Sequence, residues 1–267
     1  MAPSTYLYVP ADRPERFARA LASGAGAVIL DLEDAVAVKM KADARRAAVE
    51  HLQAPVGAVE QWVRINAGEL GCEDLAALVG LPGLTGVFVP KADVASLDAL
   101  HAIAPIPRCA LVETAATILD LANVAAADGI VALAMGEVDL AADLGIDPSP
   151  DERELWPLRL QVVVASAAKG LRPPIGPVHR AIPDLEDLRT STMALRRSGF
   201  EARQAIHPAQ APIIEDVMTP TAEETQRAEK LLRLVEAAGG GVCIDDDGRM
   251  IDEAVLRSAR RTLARRR

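Results

Sequence analysis

The sequence predicts an α/β protein, a (β/α)8 TIM barrel with a short C-terminal helical extension. Short, almost continuously apolar segments alternate with amphipathic helical segments along most of the chain, and charged or polar residues follow the apolar segments. Apolar strands of this kind are typical of a parallel sheet that helices cover from outside. Eight such units fit a closed barrel, for which 267 residues suffice. A doubly wound open sheet is the alternative.

The first four predicted strands are residues 7–9, 27–30, 62–65 and 86–89. After the first strand, Asp12, Pro14 and Glu15 have the spacing of a helix N-terminus, with Asp12 as the capping residue. A second helix is predicted over about residues 39–52. Strand and helix therefore alternate from the start of the chain.

The later strands are predicted at residues 108–112, 130–134, 171–175 and 205–206, of which the seventh is the weakest. Helices are expected from Thr114 through 128 and over about 151–169. Beyond 217, a helix starting at Thr221 ends near a triglycine at 239–241, and a short strand, a turn and a last helix follow. We therefore predict a barrel domain over 1–217 and a helical extension over 218–267.

Composition excludes several classes of function. A formal net charge of −9 and 3% aromatic residues argue against nucleic-acid binding. No segment approaches the ~20 apolar residues of a membrane span, and the N-terminus lacks the pattern of a signal peptide. Cys72, Cys109 and Cys243 show no paired spacing, which fits a reducing cytoplasm and gives no metal or disulfide signature. We expect a cytoplasmic protein without nucleic-acid or membrane partners.

Two carboxylates stand at the ends of consecutive predicted strands. Glu113 follows the strand at 108–112, and Asp139 lies just beyond the strand at 130–134. Parallel neighbouring strands would bring both side chains to one point, where crowded carboxylates suggest a hard divalent metal such as Mg²⁺. Charged or hydrogen-bonding residues also end other strands: Asp31, Glu33, Asp34, Arg64, Lys91 and His207. We therefore expect one site at this end of the barrel.

Segments spread in order over almost the whole chain form a specific set. They are residues 8–14 (YVPADRP), 30–35 (LDLEDA), 63–66 (VRIN), 89–91 (VPK), 112–114 (VET), 139–140 (DL) with 144–145 (LG), and 205–210 (AIHPAQ). Together they resemble the citrate lyase beta subunit and its CitE-like relatives, which include malyl-CoA and citramalyl-CoA lyases. The resemblance implies a Mg²⁺-binding barrel that makes or breaks a carbon–carbon bond between an acyl thioester and a keto acid.

The resemblance also assigns roles to individual residues. Glu113 and Asp139 match the metal ligands, and Glu113 also belongs to the substrate site. Arg64 matches the arginine that holds the keto-acid carboxylate and is expected to be catalytic. Asp252 matches an aspartate that reaches a neighbouring subunit's site, and it is the candidate base for the α-carbon proton.

Further expectations concern the thioester and the partners. Val138, Ile206 and His207 match stretches that lie close to coenzyme A. The substrate thioester is expected on coenzyme A or on an acyl carrier protein, which is then a possible partner. The resemblance implies a homo-oligomer, a trimer or its doubled hexameric form.

Several residues keep an alternative reading. Arg64 can instead form an ion pair with Asp31 or Glu33. The three acids Asp31, Glu33 and Asp34 can either hold a water molecule on the metal or brace Arg64. Lys91 is expected to pair with the same acids rather than to meet substrate. His207 is expected to be a satisfied strand-end histidine more than a nucleotide contact.

The chain departs from the family pattern after the sixth strand. Relatives commonly have an acid directly before the metal-binding aspartate, whereas here Val138 takes that place and Glu137 stands one position earlier.

Two other functions remain open. One is a metal-dependent aldolase of the HpcH/HpaI type that acts on free pyruvate, although Asp34 stands where those enzymes have a histidine base. The other is a beta subunit that works only inside a larger lyase complex, or a catalytically silent paralogue.

Overall fold

The computed structural model describes residues 2–55, 57–237, 243–245 and 248–266. They divide into two compact units, Ala2–Glu215 and a second unit that begins at Asp216. Within the described residues, no helix combines the length and the apolar character needed to span a membrane.

The first unit is built on eight parallel strands that close into a barrel in sequence order. The strands are β1 (Thr5–Pro10), β2 (Ala27–Asp31), β3 (Glu60–Arg64), β4 (Gly86–Val89), β5 (Arg108–Val112), β6 (Ile130–Met135), β7 (Ile175–Gly176) and β8 (Ala202–Ala205). Strand β8 pairs in parallel with β1, with Thr5 opposite Arg203. The predicted barrel is thus confirmed, and the open sheet is wrong.

Helices follow the strands on the outside of the barrel. They are α1 (Phe17–Leu21), α2 (Lys41–His51), α3 (Gly68–Leu78), α4 (Val94–Ile103), α5 (Ala115–Leu119), α6 (Leu121–Val124), α7 (Glu137–Leu144), α8 (Trp156–Ala168), α9 (Leu185–Arg197) and α10 (Ala211–Met218). Apolar positions of these helices, such as Leu75, Leu97 and Val162, are fully buried. The predicted alternation of apolar strands with amphipathic helices is therefore confirmed.

Two local predictions are wrong. Asp12 does not cap the first helix, because a 3₁₀ turn over Pro14–Arg16 precedes α1 and its side-chain capping bond is missing. The proline fixes the backbone at the start of this tighter turn. The seventh strand forms only at Ile175–Gly176, not over residues 171–175. Pro173 and Pro174 lack backbone N–H groups, so the chain can enter the ladder only after them.

The barrel interior below the strand ends is a packed aromatic core. The ring centroids of Tyr6 and Phe88 lie 5.8 Å apart and those of Trp62 and Phe88 lie 5.6 Å apart, in edge-to-face arrangements. Small and aliphatic residues such as Ala27 and Ala132 complete this cluster. The rings of Tyr6, Trp62 and Phe88 therefore fill the barrel interior, and the space for a ligand lies at the strand ends.

The second unit contains α11 (Ala222–Ala237), β9 (Cys243–Ile244), β10 (Met250–Ile251) and α12 (Glu253–Ala264). Strands β9 and β10 pair antiparallel. Before α11, Thr221 Oγ1 accepts from the Glu224 amide at 3.1 Å and Glu224 Oε2 accepts from the Thr221 amide at 2.8 Å, so the two residues form a capping box at the predicted helix start. The triglycine at 239–241, near which this helix was predicted to end, lies outside the described residues.

Candidate active site

A cavity of about 470 Å³ opens at the C-terminal ends of the barrel strands. Its wall brings together residues that are far apart in sequence, including five predicted site residues: Arg64, Glu113, Val138, Asp139 and Ile206. The remaining wall is largely apolar, with three further acids, Asp31, Asp34 and Glu137. A concave site with a few converging charges at this end of a barrel is where function normally resides.

Glu113 follows β5 directly, and its side chain is buried, with the residue 2% exposed. The amide of Lys91 donates a hydrogen bond to Glu113 Oε1 at 2.6 Å. Burial raises the pKa of Glu113 to about 7, and the negative charges of Glu33 and Asp139 add to the rise. The carboxylate is therefore held in place by a hydrogen bond, but the positive charge around it does not offset the cost of burying its negative charge.

Asp139 lies in the first turn of α7 and faces the same cavity from the next strand end. Between them stands Gly136, where a Cβ atom would lie 2.6 Å from Glu113 Cβ and 2.7 Å from Glu113 Oε2. Real Cβ atoms essentially never come so close, so only glycine lets β6 approach the Glu113 carboxylate. The two predicted metal ligands thus line one cavity, and a glycine in the same wall leaves room for the Glu113 carboxylate.

These two carboxylates suit one class of metal ion. Among the described residues, no group of three or more His, Cys, Asp or Glu side chains is arranged to hold a metal. Mg²⁺ commonly binds one or two protein carboxylates and keeps its other positions for water and substrate oxygens. The donor set of Glu113 and Asp139 fits such a partly open site.

Arg64, the last residue of β3, is held by acids. Its Nε and Nη2 donate to Asp31 Oδ1 and Oδ2 at 2.7 and 2.6 Å, and Nη1 lies 2.9 Å from Glu33 Oε2. Burial alone would lower the pKa of Arg64, but the hydrogen bonds to Asp31 raise it above its ordinary value. The alternative in which Asp31 and Glu33 brace Arg64 is therefore what the structure shows. Because arginine has five N–H donors, the pairing leaves donors for the cavity that Arg64 lines.

A tyrosine–glutamine pair in the cavity wall was not singled out from the sequence. Tyr8 Oη donates to Gln204 Oε1 at 2.8 Å, and Gln204 Nε2 donates to the carbonyl groups of Met135 at 2.8 Å and Gly176 at 3.1 Å. The pair thereby ties β1, β6, β7 and β8 together at the cavity. The available signal was a glutamine next to Arg203, two polar residues directly before the predicted eighth strand.

Glu137, the departure from the family pattern, forms a buried ion pair. Arg159 Nε and Nη2 bind its two oxygens at 2.5 and 2.6 Å, and Nη2 also lies 2.7 Å from Glu152 Oε2. The Arg159 guanidinium stacks over the Trp156 ring at 4.5 Å. This cluster fixes the first turn of α7, which carries Asp139.

Two of the three residues predicted near coenzyme A line this cavity. Val138 and Ile206 are 46% and 38% exposed and line the cavity with apolar side chains. His207 lines a neighbouring cavity together with Arg16 and Arg19. Its Nδ1 accepts from the Ala209 amide at 3.2 Å, which is the strand-end arrangement expected as the alternative.

Asp252 belongs to the second unit. Its Oδ1 accepts from the Val255 amide at 3.0 Å, so it caps the N-terminus of α12. Its catalytic role stays a prediction.

Three comparisons relate this chain to known proteins. The "Citrate lyase subunit beta-like protein" of Mycobacterium tuberculosis is 36% identical over 97% of this chain and 94% of its own length. The "(3S)-malyl-CoA thioesterase" of Cereibacter sphaeroides is 34% identical over 97% of this chain and 93% of its own length. The crystal structure of the protein CitE from Mycobacterium tuberculosis, in complex with magnesium, acetoacetate and coenzyme A, superposes with a TM-score of 0.84. It is 35% identical and covers 99% of this chain and 98% of its own.

The sequence model of the family described as HpcH/HpaI aldolase/citrate lyase matches residues 4–208, which is most of the chain and the whole barrel. The chain therefore belongs to the HpcH/HpaI aldolase/citrate lyase family.

Proposed function

We propose that the chain is a Mg²⁺-dependent carbon–carbon lyase of the citrate lyase beta subunit-like group. It cleaves or forms a β-hydroxyacyl thioester of the citryl-, malyl- or citramalyl-CoA type and releases a keto acid and an acyl thioester. One observation carries the proposal: two acids and an arginine line one cavity of a barrel that superposes on a relative crystallised with magnesium, acetoacetate and coenzyme A.

Glu113 and Asp139 are the proposed metal ligands. The raised pKa of Glu113 supports this role, because a buried carboxylate beside other acids is stabilised by a divalent cation. When bound, Mg²⁺ neutralises negative charge that develops on the oxygens of the keto-acid part. Glu113 also borders the space for that part of the substrate, since it lies deeper in the barrel than the exposed Asp139.

Arg64 is proposed to bind the keto-acid carboxylate through the donors that Asp31, Glu33 and Asp34 leave unused; Asp34 Oδ2 accepts from Arg64 Nη1 at 3.4 Å. These acids fix the guanidinium plane before substrate arrives, so little side-chain entropy is lost on binding. Tyr8 stacks against the same group, with the Arg64 Cζ 5.0 Å from the ring centroid. We therefore propose that Arg64, held in place before the substrate binds, orients the substrate.

Asp252 is proposed as the base that removes a proton from the α-carbon of the acyl thioester in the condensing direction. Because it lies in the second unit, we propose that the extension over 218–267 delivers it to a neighbouring subunit of a homotrimer or hexamer. Val138, Ile206 and His207 are proposed to contact coenzyme A. The exposed apolar surfaces of the first two suit the pantetheine arm.

Three related proposals concern thioester hydrolysis, the carrier of the thioester and the location of the protein. Hydrolysis of the thioester can follow cleavage, since one relative bears the name of a malyl-CoA thioesterase. Whether the lyase activity depends on an acyl carrier protein is an outcome of the test below. The names of the relatives do not favour aldol chemistry on free keto acids. A cytoplasmic location fits the free thiols of Cys72 and Cys109.

The test uses the purified full chain with malyl-CoA, citramalyl-CoA and citryl-CoA, each with Mg²⁺ and with EDTA. We expect one of these thioesters to release keto acid, and only in the presence of Mg²⁺. The Glu113→Ala variant should release none. The control variant Glu50→Ala, which changes an exposed residue on α2, should release it as the wild type does. Activity only after adding an acyl carrier protein would support the complex-bound alternative. Full activity of Glu113→Ala would contradict the metal assignment.

A further inference from the structure

Lys91 has a backbone conformation that side-chain-bearing residues rarely adopt. Its φ is +47°, and among the described residues only Glu152 shares a positive φ without being glycine. A conformation of this kind persists when the surroundings hold it, and it is concentrated at functional sites. Here the turn after β4 aims the Lys91 amide at Glu113 Oε1, 2.6 Å away.

The side chain of the same residue lies beside Glu33, one of the acids around Arg64. Lys91 Nζ lies 3.6 Å from Glu33 Oε1, and the side chain is 52% exposed. The charge of Glu33 is the main cause that raises the pKa of Lys91, and Glu113, Asp34 and Asp139 add to it. One residue therefore holds a proposed metal ligand with its backbone and balances the acid cluster with its ammonium group.

We infer that Lys91 is a positioning residue that sets the affinity of this site for Mg²⁺ and for the anionic keto acid in opposite directions. The inference rests on the proposed function. An ammonium beside the carboxylates repels an entering divalent cation but attracts the carboxylate of a substrate. Loss of the positive charge should therefore strengthen metal binding and weaken keto-acid binding, whereas general damage to the site would weaken both.

The experiment measures Mg²⁺ binding and then pyruvate binding at saturating Mg²⁺ by isothermal titration calorimetry at low ionic strength. Lys91→Gln removes the charge, and Lys91→Arg keeps it. Lys169→Gln, an exposed position just after α8, changes the net charge equally outside the cavity and serves as the control. We expect Lys91→Gln to bind Mg²⁺ about threefold to tenfold more tightly and pyruvate more weakly by a similar factor.

High salt should shrink both effects, because half of the Lys91 side chain is exposed to solvent. Lys91→Arg and Lys169→Gln should stay within about twofold of the wild type. In assays of turnover, Lys91→Gln should raise the KM for the keto acid more than it lowers kcat.

Two results separate the possible failures. If the wild type binds no Mg²⁺, the proposed function is refuted together with this inference. If the wild type binds Mg²⁺ but Lys91→Gln matches it, or weakens both ligands, the inference on Lys91 alone is overturned.

The backbone part has its own test, because glycine adopts a positive φ without strain. Lys91→Gly should have a higher Tm in EDTA than Lys91→Gln while showing the same Mg²⁺ affinity. Equal Tm values for the two variants would overturn the assignment of backbone strain to this position.

Discussion

Replacing Glu113 by glutamine should stabilise the metal-free protein while removing its response to Mg²⁺. In the fold, the pKa of Glu113 rises from an ordinary 4.5 to about 7 because the group is buried beside other acids. At roughly 1.4 kcal/mol per pKa unit, the ionised carboxylate costs the fold about 3 kcal/mol at about pH 8. Glutamine is neutral and keeps an oxygen for the Lys91 amide, so it avoids this cost.

The sign follows from proton binding. A folded-state pKa above the unfolded value means that the fold binds the proton more tightly, so this contribution is present below about pH 4.5 and is lost as the pH passes about 7. We therefore expect Glu113→Gln to exceed the wild type in stability by about 2–3 kcal/mol in EDTA at about pH 8, and by little at about pH 4.5.

The assay is urea unfolding followed by the fluorescence of Trp62 and Trp156, with EDTA or with Mg²⁺. Added Mg²⁺ should stabilise the wild type in proportion to RT ln(1 + [Mg²⁺]/Kd) and leave Glu113→Gln unchanged. The control Glu50→Gln alters an exposed carboxylate and should shift stability by no more than about 0.5 kcal/mol. A wild type more stable than Glu113→Gln in EDTA at high pH, or equal Mg²⁺ stabilisation of both, would refute the reasoning.

Three further outcomes are expected. Gly136→Ala should weaken Mg²⁺ binding measured by calorimetry, because its Cβ would lie 2.6 Å from Glu113 Cβ. Gly176→Ala should leave Mg²⁺ binding intact, because its Cβ would meet the end of the Leu195 side chain at 2.9 Å and the Ala202 carbonyl at an ordinary 3.4 Å, and neither carboxylate. Arg159→Met should cost about 3–5 kcal/mol in urea unfolding by leaving Glu137 buried and unpaired, and adding Glu137→Gln should restore most of this. Asp252→Asn should lower kcat about 100-fold or more with unchanged Tm, because asparagine still caps α12; unchanged kcat would exclude the base role.

The sequence by itself determined the barrel and the end at which the site lies. Apolar runs of strand length alternate with amphipathic helices, and this pattern is local, so it could be read at each unit from β1 to β8. Glu113 and Asp139 could be predicted to face one cavity because a parallel barrel brings all strand ends to one face. Where local chemistry left several options, as for the 3₁₀ turn at Pro14 and the two-residue β7, the sequence predictions were wrong.

Only the tertiary structure decided which partner each polar side chain takes. Tyr8 and Gln204 are 196 residues apart, and Arg64 reaches Asp31 across 33 residues. The pairing of Glu137 with Arg159 and the left-handed turn at Lys91 likewise depend on neighbours from other strands and helices. Hydrogen bonds and ion pairs act over about 3 Å. Such distances are set by strand register and helix packing, which residue order specifies only through the complete fold.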